Sequence, residues 1–270
     1  MEILNSIILG IIQGITEWLP VSSTGHMILA DEFLHLNVSP AFKEMFLVVI
    51  QLGSILAVLC LYWKKLIPTS FSKTVLNETF SLWTKIIISC IPAAIVGLLF
   101  DEQINELFYN YQTVAIMLVA VGVTFLIIED AKKSSNPKIN NLAEITYKVA
   151  LWIGIFQLIA AVFPGTSRSG ATIIGALLFG VSRTAAAEYT FLLAVPVMFG
   201  ASLLKLSKFG LSFSSSELAV LLVGSITAFI VSIFAIRFLI AYVKKHDFKV
   251  FGYYRIILGV IISVYFLLVH

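Results

Sequence analysis

Two of the eight long apolar stretches in this chain are broken in the middle. Those breaks constrain the fold more than any other feature. Uninterrupted apolar runs occupy residues 44–63, 83–100, 112–128, 186–204, 217–240 and 251–269. Each is close to the ~20 residues that cross a bilayer as a helix. The stretches 3–30 and 149–180 are as apolar at their ends, but polar at their centres. One centre reads Leu19-Pro20-Val21-Ser22-Ser23-Thr24-Gly25; the other reads Phe163-Pro164-Gly165-Thr166-Ser167-Arg168-Ser169-Gly170. Neither half of either stretch is long enough to span alone. Irregular backbone survives at membrane depth only where it is buried in protein or lines a wet cavity. Both stretches are therefore expected to form re-entrant helix–loop–helix hairpins.

Composition agrees. Hydrophobic residues make up 59% of the chain, charged residues 12%, and the mean hydropathy is +1.00. A soluble domain of 270 residues could not hide so much apolar surface. Disorder needs low hydrophobicity and high charge. A membrane β-barrel needs alternating strands in place of unbroken runs. The net charge of +3 is too small to suggest nucleic acid as a partner. Cys60 and Cys90 lie inside apolar runs and read as small hydrophobes. Met1-Glu2-Ile3 offers no basic n-region, so the first apolar stretch is expected to be membrane structure and not a signal peptide.

The two broken stretches resemble each other. A shift of 144 residues places Gly10 on Gly154, Gln13 on Gln157, Pro20 on Pro164 and Ser23 on Ser167, with Ser22 on Thr166 and no gap. Each half of the chain is then one hairpin followed by three spans. Three is odd, so the second half must be inverted relative to the first, as in many transport folds. The expected fold is an all-α polytopic membrane protein with an inverted-topology repeat. It forms a single integral membrane domain over 1–270, with repeat 1 at about 1–135 and repeat 2 at about 145–270. Loop charges orient it. The loops 64–85, 129–148 and 237–250 hold Lys64, Lys65, Lys73, Lys85, Lys132, Lys133, Lys138, Lys148, Arg237, Lys244, Lys245 and Lys249. The loops 31–41, 101–111 and 205–216 hold only Lys205 and Lys208. The positive-inside rule puts the first set in the cytoplasm and both termini outside.

Ionisable residues at membrane depth are expensive and need a reason. Glu17, His26 and Arg168 lie in or beside the two loops, with Ser22, Ser23, Thr24, Thr166, Ser167, Ser169 and Thr172. Gln13 and Glu17 are four apart and share a helical face. The hydroxyls can cap two helices whose N-termini point at the broken centre, and such ends bind anions. Arg168 adds a planar fork suited to phosphate oxygens. Any one hydroxyl is explained by backbone satisfaction alone. A carboxylate, an imidazole and a guanidinium at two converging helix ends are not; a plain Glu17–Arg168 ion pair would need neither His26 nor the hydroxyls. The set suits phosphoryl transfer. Arg168 and the helix amides would hold phosphate, Glu17 a divalent cation. Ser23, His26 or a water activated by His26 are alternative nucleophiles, and the residues do not choose among them.

Residues Gln13 to His26 (QGITEWLPVSSTGH) and Pro164 to Thr172 (PGTSRSGAT) resemble the two signature motifs of the undecaprenyl-pyrophosphate phosphatases, the bacitracin-resistance family of bacterial inner-membrane enzymes. The similarity extends through Ser182 to Ala187 and Phe191 to Pro196. The resemblance implies hydrolysis of undecaprenyl pyrophosphate to the monophosphate carrier used in peptidoglycan synthesis. It also implies Mg²⁺ or Ca²⁺ dependence, a site open to the extracytoplasmic face, and a homodimer. By position it implies Glu17, Ser23, His26 and Arg168 as catalytic residues, with Ser22, Thr24, Thr166, Ser167, Ser169 and Thr172 around the substrate. Many members have Glu where this chain has Gln13, so a metal site here would rest on Glu17 with, at most, the Gln13 carbonyl oxygen. The competing class is an inverted-repeat lipid-phosphate flippase or anion transporter, which the repeat alone would favour.

Other features have plainer readings. His35, His246 and His270 suit surface positions. Pro92 and Pro196 sit inside spans and suggest kinks. Gly10 and Gly14 suggest close helix packing. Glu188 suggests an interfacial side chain.

Overall fold

The computed structural model describes every residue except 35, 133–135, 211 and 270. His35, Lys133 and His270 therefore lie outside the described residues. Among those described, the chain forms eleven α-helices: α1 (Glu2–Thr16), α2 (Ser23–Asp31), α3 (Pro40–Val49), α4 (Gln51–Leu66), α5 (Lys73–Phe108), α6 (Tyr111–Ala131), α7 (Tyr147–Val162), α8 (Arg168–Leu178), α9 (Arg183–Phe209), α10 (Ser215–Val243) and α11 (Lys249–Val269). Six segments are long and apolar enough to cross a membrane: α3 with α4, then α5, α6, α9, α10 and α11. They coincide with the six uninterrupted runs. Helices α1 and α2, and α7 and α8, are the two short-armed hairpins.

The helix boundaries have local causes. Ser39, Ser72, Asn110, Thr146, Ser182 and Ser214 each accept a hydrogen bond from the amide three residues on, closing the N-termini of α3, α5, α6, α7, α9 and α10. Ser214 and Glu217 complete a capping box. Both prolines sit inside continuous helix, and the non-helical residue within α5 is Phe100, not Pro92. Ion pairs gather at both ends of the bundle. Lys43–Asp31, Lys205–Glu44 and Lys208–Asp101 lie at one end; Lys65–Glu188, Arg183–Glu129 and Lys249–Asp130 lie at the other. Glu188 is thus interfacial, 2.7 Å from Lys65. Between the two ends, large side chains such as Leu98, Ile116, Phe234 and Ile257 are exposed, as a lipid-facing girdle requires.

Several helix pairs correspond under exchange of the halves. Helix α1 lies along α10, and its counterpart α7 lies along α5; α6 and α11 pack on each other. Helix α2 touches α11, and α8 touches α6. This is the pattern that a two-fold relation between halves produces, and it fits an inverted repeat. Each hairpin is gripped by the opposite half, which brings the two loops together at the centre.

Glycine makes the grip possible. A Cβ on Gly10 would lie 2.7 Å from the Gly224 carbonyl oxygen of α10; one on the matching Gly154 would lie 2.5 Å from the Ser89 carbonyl oxygen of α5. Gly14 likewise abuts Ala228 and Val231. Gly97 on the same α5 faces open space. Gly154→Ala is expected to destabilise the protein by about 1–3 kcal/mol through overpacking against backbone. Gly97→Ala should be neutral or slightly stabilising. Melting temperatures of both variants in one detergent check this pair.

Candidate active site

The two loops are built alike but not in the register expected. Ser22 caps α2, its Oγ accepting from the Gly25 amide at 3.3 Å. Ser167 caps α8, its Oγ accepting from the Gly170 amide at 3.2 Å. They are the only non-glycine residues with positive φ among those described, at 71° and 69°. Such backbone costs about 1–3 kcal/mol each, and its recurrence at matched points marks a constrained site. The structural match is therefore Ser22 with Ser167, not Ser23 with Ser167. The ungapped alignment fails because Pro164-Gly165-Thr166-Ser167 is one residue longer than Pro20-Val21-Ser22. Gly165, at φ 89°, takes up part of that extra length. The corrected register pairs Ser23 with Arg168, each the first residue of its helix.

Those two residues meet at one carboxylate. Arg168 Nη2 donates to Glu17 Oε1 at 3.0 Å, and Ser23 Oγ donates to Glu17 Oε2 at 3.1 Å. Gln13 Nε2 also donates to Oε2, at 3.0 Å. Arg168 Nη1 donates to the Thr190 carbonyl at 3.0 Å, which fixes the guanidinium plane. The Glu17 and Arg168 side chains are only 8% and 12% exposed, so their attraction is weakly screened. A cavity of ≈ 230 Å³ opens beside them, walled by Glu17, Ser23, Thr24, Ser167, Arg168 and Gln157. Two larger clefts, of ≈ 610 and 780 Å³, open among Lys138, Arg183, Lys64 and Lys244; neither is lined by a residue of the two hairpin loops 19–25 and 163–170.

The remaining expected residues take different positions. Ser169 Oγ donates to the Glu17 carbonyl oxygen at 3.2 Å and ties one loop to the other. Ser22 is committed to its cap. Thr172 Oγ1 donates to the Arg168 carbonyl at 2.9 Å and lies 2.9 Å from Thr190 Oγ1, behind the site. Thr166 is buried, with its hydroxyl unpartnered among the described residues. His26 does not join the carboxylate cluster. Its Nδ1 is 2.7 Å from the Ser22 carbonyl, which can only accept, so Nδ1 carries the proton. Nε2 is then the acceptor for Tyr254 Oη at 2.7 Å, and the two rings lie nearly parallel, 6° apart. Tyr254→Phe removes that donor. It is expected to lower turnover by about five-fold, the worth of one hydrogen bond of ~1 kcal/mol. The loss should vanish in a His26→Ala background, a double-mutant cycle read from the turnover of the four proteins.

Arg255 lies outside both motifs. It is fully buried on α11. Its Nη1 donates to the Pro20 carbonyl at 3.2 Å; its Nη2 donates to the Gly165 and Thr166 carbonyls at 2.8 and 2.9 Å. One guanidinium thus holds both loops by their backbones. A lone arginine inside the last apolar run was the available signal, because such a charge in lipid needs a function.

Residues 6–261 match the family described as bacitracin resistance protein BacA. The chain is 63% identical over 268 residues to the undecaprenyl-diphosphatase of Desulfitobacterium hafniense, covering 98% of this chain and 96% of that one. It is 64% identical over 271 residues to undecaprenyl-diphosphatase 1 of Clostridium acetobutylicum, covering 100% and 99%. An undecaprenyl-diphosphatase of Enterococcus faecalis is 56% identical over 266 residues, covering 97% and 96%.

Proposed function

The chain belongs to the bacitracin-resistance family, and on that premise we propose the reaction its loops perform. It is an undecaprenyl-diphosphatase: it hydrolyses undecaprenyl pyrophosphate to undecaprenyl phosphate and inorganic phosphate. That returns the lipid carrier to peptidoglycan synthesis and underlies bacitracin resistance. The observation that carries the site assignment is the meeting of Arg168, Ser23 and Glu17 between two helix N-termini.

Each residue's part follows from its bonds. The opening amides of α2 and α8 that the Ser22 and Ser167 caps leave over lack intrahelical acceptors and favour phosphate oxygens. Arg168 keeps its bond to the Thr190 carbonyl while Nη2 exchanges Glu17 for a phosphate oxygen. That exchange stabilises the charge that develops as the P–O–P bridge breaks. Glu17, released from Arg168, still accepts the Ser23 hydroxyl and is placed to take its proton. This favours Ser23 as the attacking group over His26, whose Nε2 is occupied by Tyr254. Attack on the terminal phosphorus forms a Ser23 Oγ–P bond as the P–O–P bridge breaks, and the proton passes through Glu17 to the departing undecaprenyl phosphate. Water then attacks the phosphoserine, its oxygen leaving in inorganic phosphate and one of its protons returning to Ser23 Oγ. The prenyl tail is apolar and stays in the bilayer.

Divalent-cation dependence belongs to the same reading. Among the described residues no group of three or more His, Cys, Asp or Glu side chains gathers. One carboxylate among hydroxyl and amide oxygens does suit a hard cation that arrives with a pyrophosphate. Glu17 would hold it. When bound, such an ion neutralises and polarises phosphate oxygens. The reading further places the protein in the bacterial inner membrane as a homodimer, with the cavity opening to the extracytoplasmic side.

The test is inorganic phosphate release from a long-chain prenyl pyrophosphate by purified protein in detergent, with and without Mg²⁺. Detergent removes compartments, so transport alone scores nothing. Release that depends on the cation supports the phosphatase and its divalent cation. No release by folded protein, across several cations and tail lengths, overturns it in favour of a carrier.

A further inference from the structure

One of the differences between the two hairpins falls beside the cavity. Gln13 and Gln157 match, and so do Glu17 and Ala161, one helical turn further on. Gln13 gives its amide to the carboxylate one turn away. Gln157 has only a methyl group there, and its Nε2 donates sideways to the Ser89 carbonyl oxygen at 3.3 Å. A carbonyl can only accept, so the NH₂ end must face Ser89 and the oxygen must face away from it. Gln157 is 2% exposed, and its Oε1 has no partner among the described residues. Gln157 and Ala161 both wall the cavity that holds Glu17 and Arg168; Ser89 does not.

A buried amide oxygen without a donor carries a desolvation cost until something completes it. A phosphate oxygen cannot, because both atoms are acceptors. A hard dication can, because it takes carboxylate and amide oxygens together. We propose that Gln157 Oε1 is a ligand of the divalent cation that enters with the pyrophosphate, shared with Glu17. The inference rests on the phosphatase reading and adds a ligand to it. Charge explains why an amide stands here. Glu17 and Arg168 cancel, so the resting site has little net pull on a dication. A neutral ligand keeps cation binding conditional on the substrate's own charge, and lets the ion depart with the product.

The experiment is a Mn²⁺ titration followed by electron paramagnetic resonance, on purified full-length protein in detergent. It is run with and without methylene diphosphonate, a pyrophosphate analogue whose P–C–P bridge cannot be hydrolysed. Wild type should bind Mn²⁺ only when the diphosphonate is present. Gln157→Leu should weaken that binding by about 10-fold or more, since losing even an outer-sphere partner costs that much. Gln157→Glu should bind at least as tightly as wild type and should no longer need the diphosphonate. Gln157→Met serves if the leucine variant melts early from loss of the Ser89 contact. Unchanged Mn²⁺ affinity in the folded leucine or methionine variant and in Gln157→Glu overturns the assignment, even if turnover falls. Absence of Mn²⁺ binding to wild type with the diphosphonate overturns it too. Phosphate release measured in parallel separates the outcomes: release without a Gln157 effect on Mn²⁺ leaves the phosphatase standing and removes this ligand.

Discussion

Arg168→Ala is expected to cut phosphate release from a prenyl pyrophosphate by about 10³-fold or more, the scale on which phosphoryl-transfer enzymes depend on such a cation. Two effects combine. The planar fork that meets phosphate oxygens is lost, and Glu17 is left buried with only Gln13 and Ser23 as donors. Breaking a buried pair by removing one partner costs about 3–5 kcal/mol, so the melting temperature should fall as well. Arg168→Lys keeps the charge but not the fork, and cannot hold the Thr190 carbonyl and a phosphate oxygen in one plane. It should recover stability better than turnover. Glu17→Gln separates the roles further. If Glu17 only restrains Arg168, the glutamine variant binds methylene diphosphonate more tightly and keeps its turnover. The proposed mechanism requires the opposite for turnover: release collapses because nothing takes the Ser23 proton. Turnover retained in Glu17→Gln would remove Glu17 from the chemistry.

Arg255→Leu should be nearly as damaging by a different route. The side chain touches no group that the reaction alters, yet it bonds the backbone of both loops. Its loss leaves the Pro20, Gly165 and Thr166 carbonyls buried without donors, at about 1–3 kcal/mol each before relaxation. A net destabilisation of about 3 kcal/mol or more is expected, partly offset because a buried charge is also removed. Displacement of the loops by as little as about 1 Å would lower turnover by about 100-fold. Arg255→Lys retains one cation but cannot reach two loops with fixed geometry, so it should lie between leucine and wild type. Thermal melting and phosphate release on the same preparations check both numbers. Full turnover in a destabilised Arg255→Leu protein would show that the loops hold their positions without this anchor.

Much of the architecture was legible in the sequence because lipid makes folding rules local. Backbone in a bilayer must satisfy its own hydrogen bonds, so span length and apolarity determine each of the six crossing segments, and Pro20 and Pro164 mark where the other two regions stop being helix. Glu17 and Arg168 stood out because a charge at that depth is costly, and the structure brings them to 3.0 Å.

What the sequence could not supply depends on distances between segments far apart in the chain. The one-residue difference between the loops is invisible to a simple shift, because serines and threonines fill both candidate registers; only the backbone turn at Ser22 and Ser167 distinguishes them. His26 belongs to the same motif as Ser23, but its direction is set by Tyr254 on a helix 228 residues away. Arg255 lies in no loop, and its role exists only because α11 packs where both loops end. Gln157 looked like the twin of Gln13 until the chain placed Ser89 beside one amide and Glu17 beside the other. Span number, hairpins and the charged pair were written in local composition, since each answers to the membrane one segment at a time. Register, side-chain direction and the second acceptor in the cavity were decided by packing between the halves, where a hydrogen-bond partner is chosen by proximity in space.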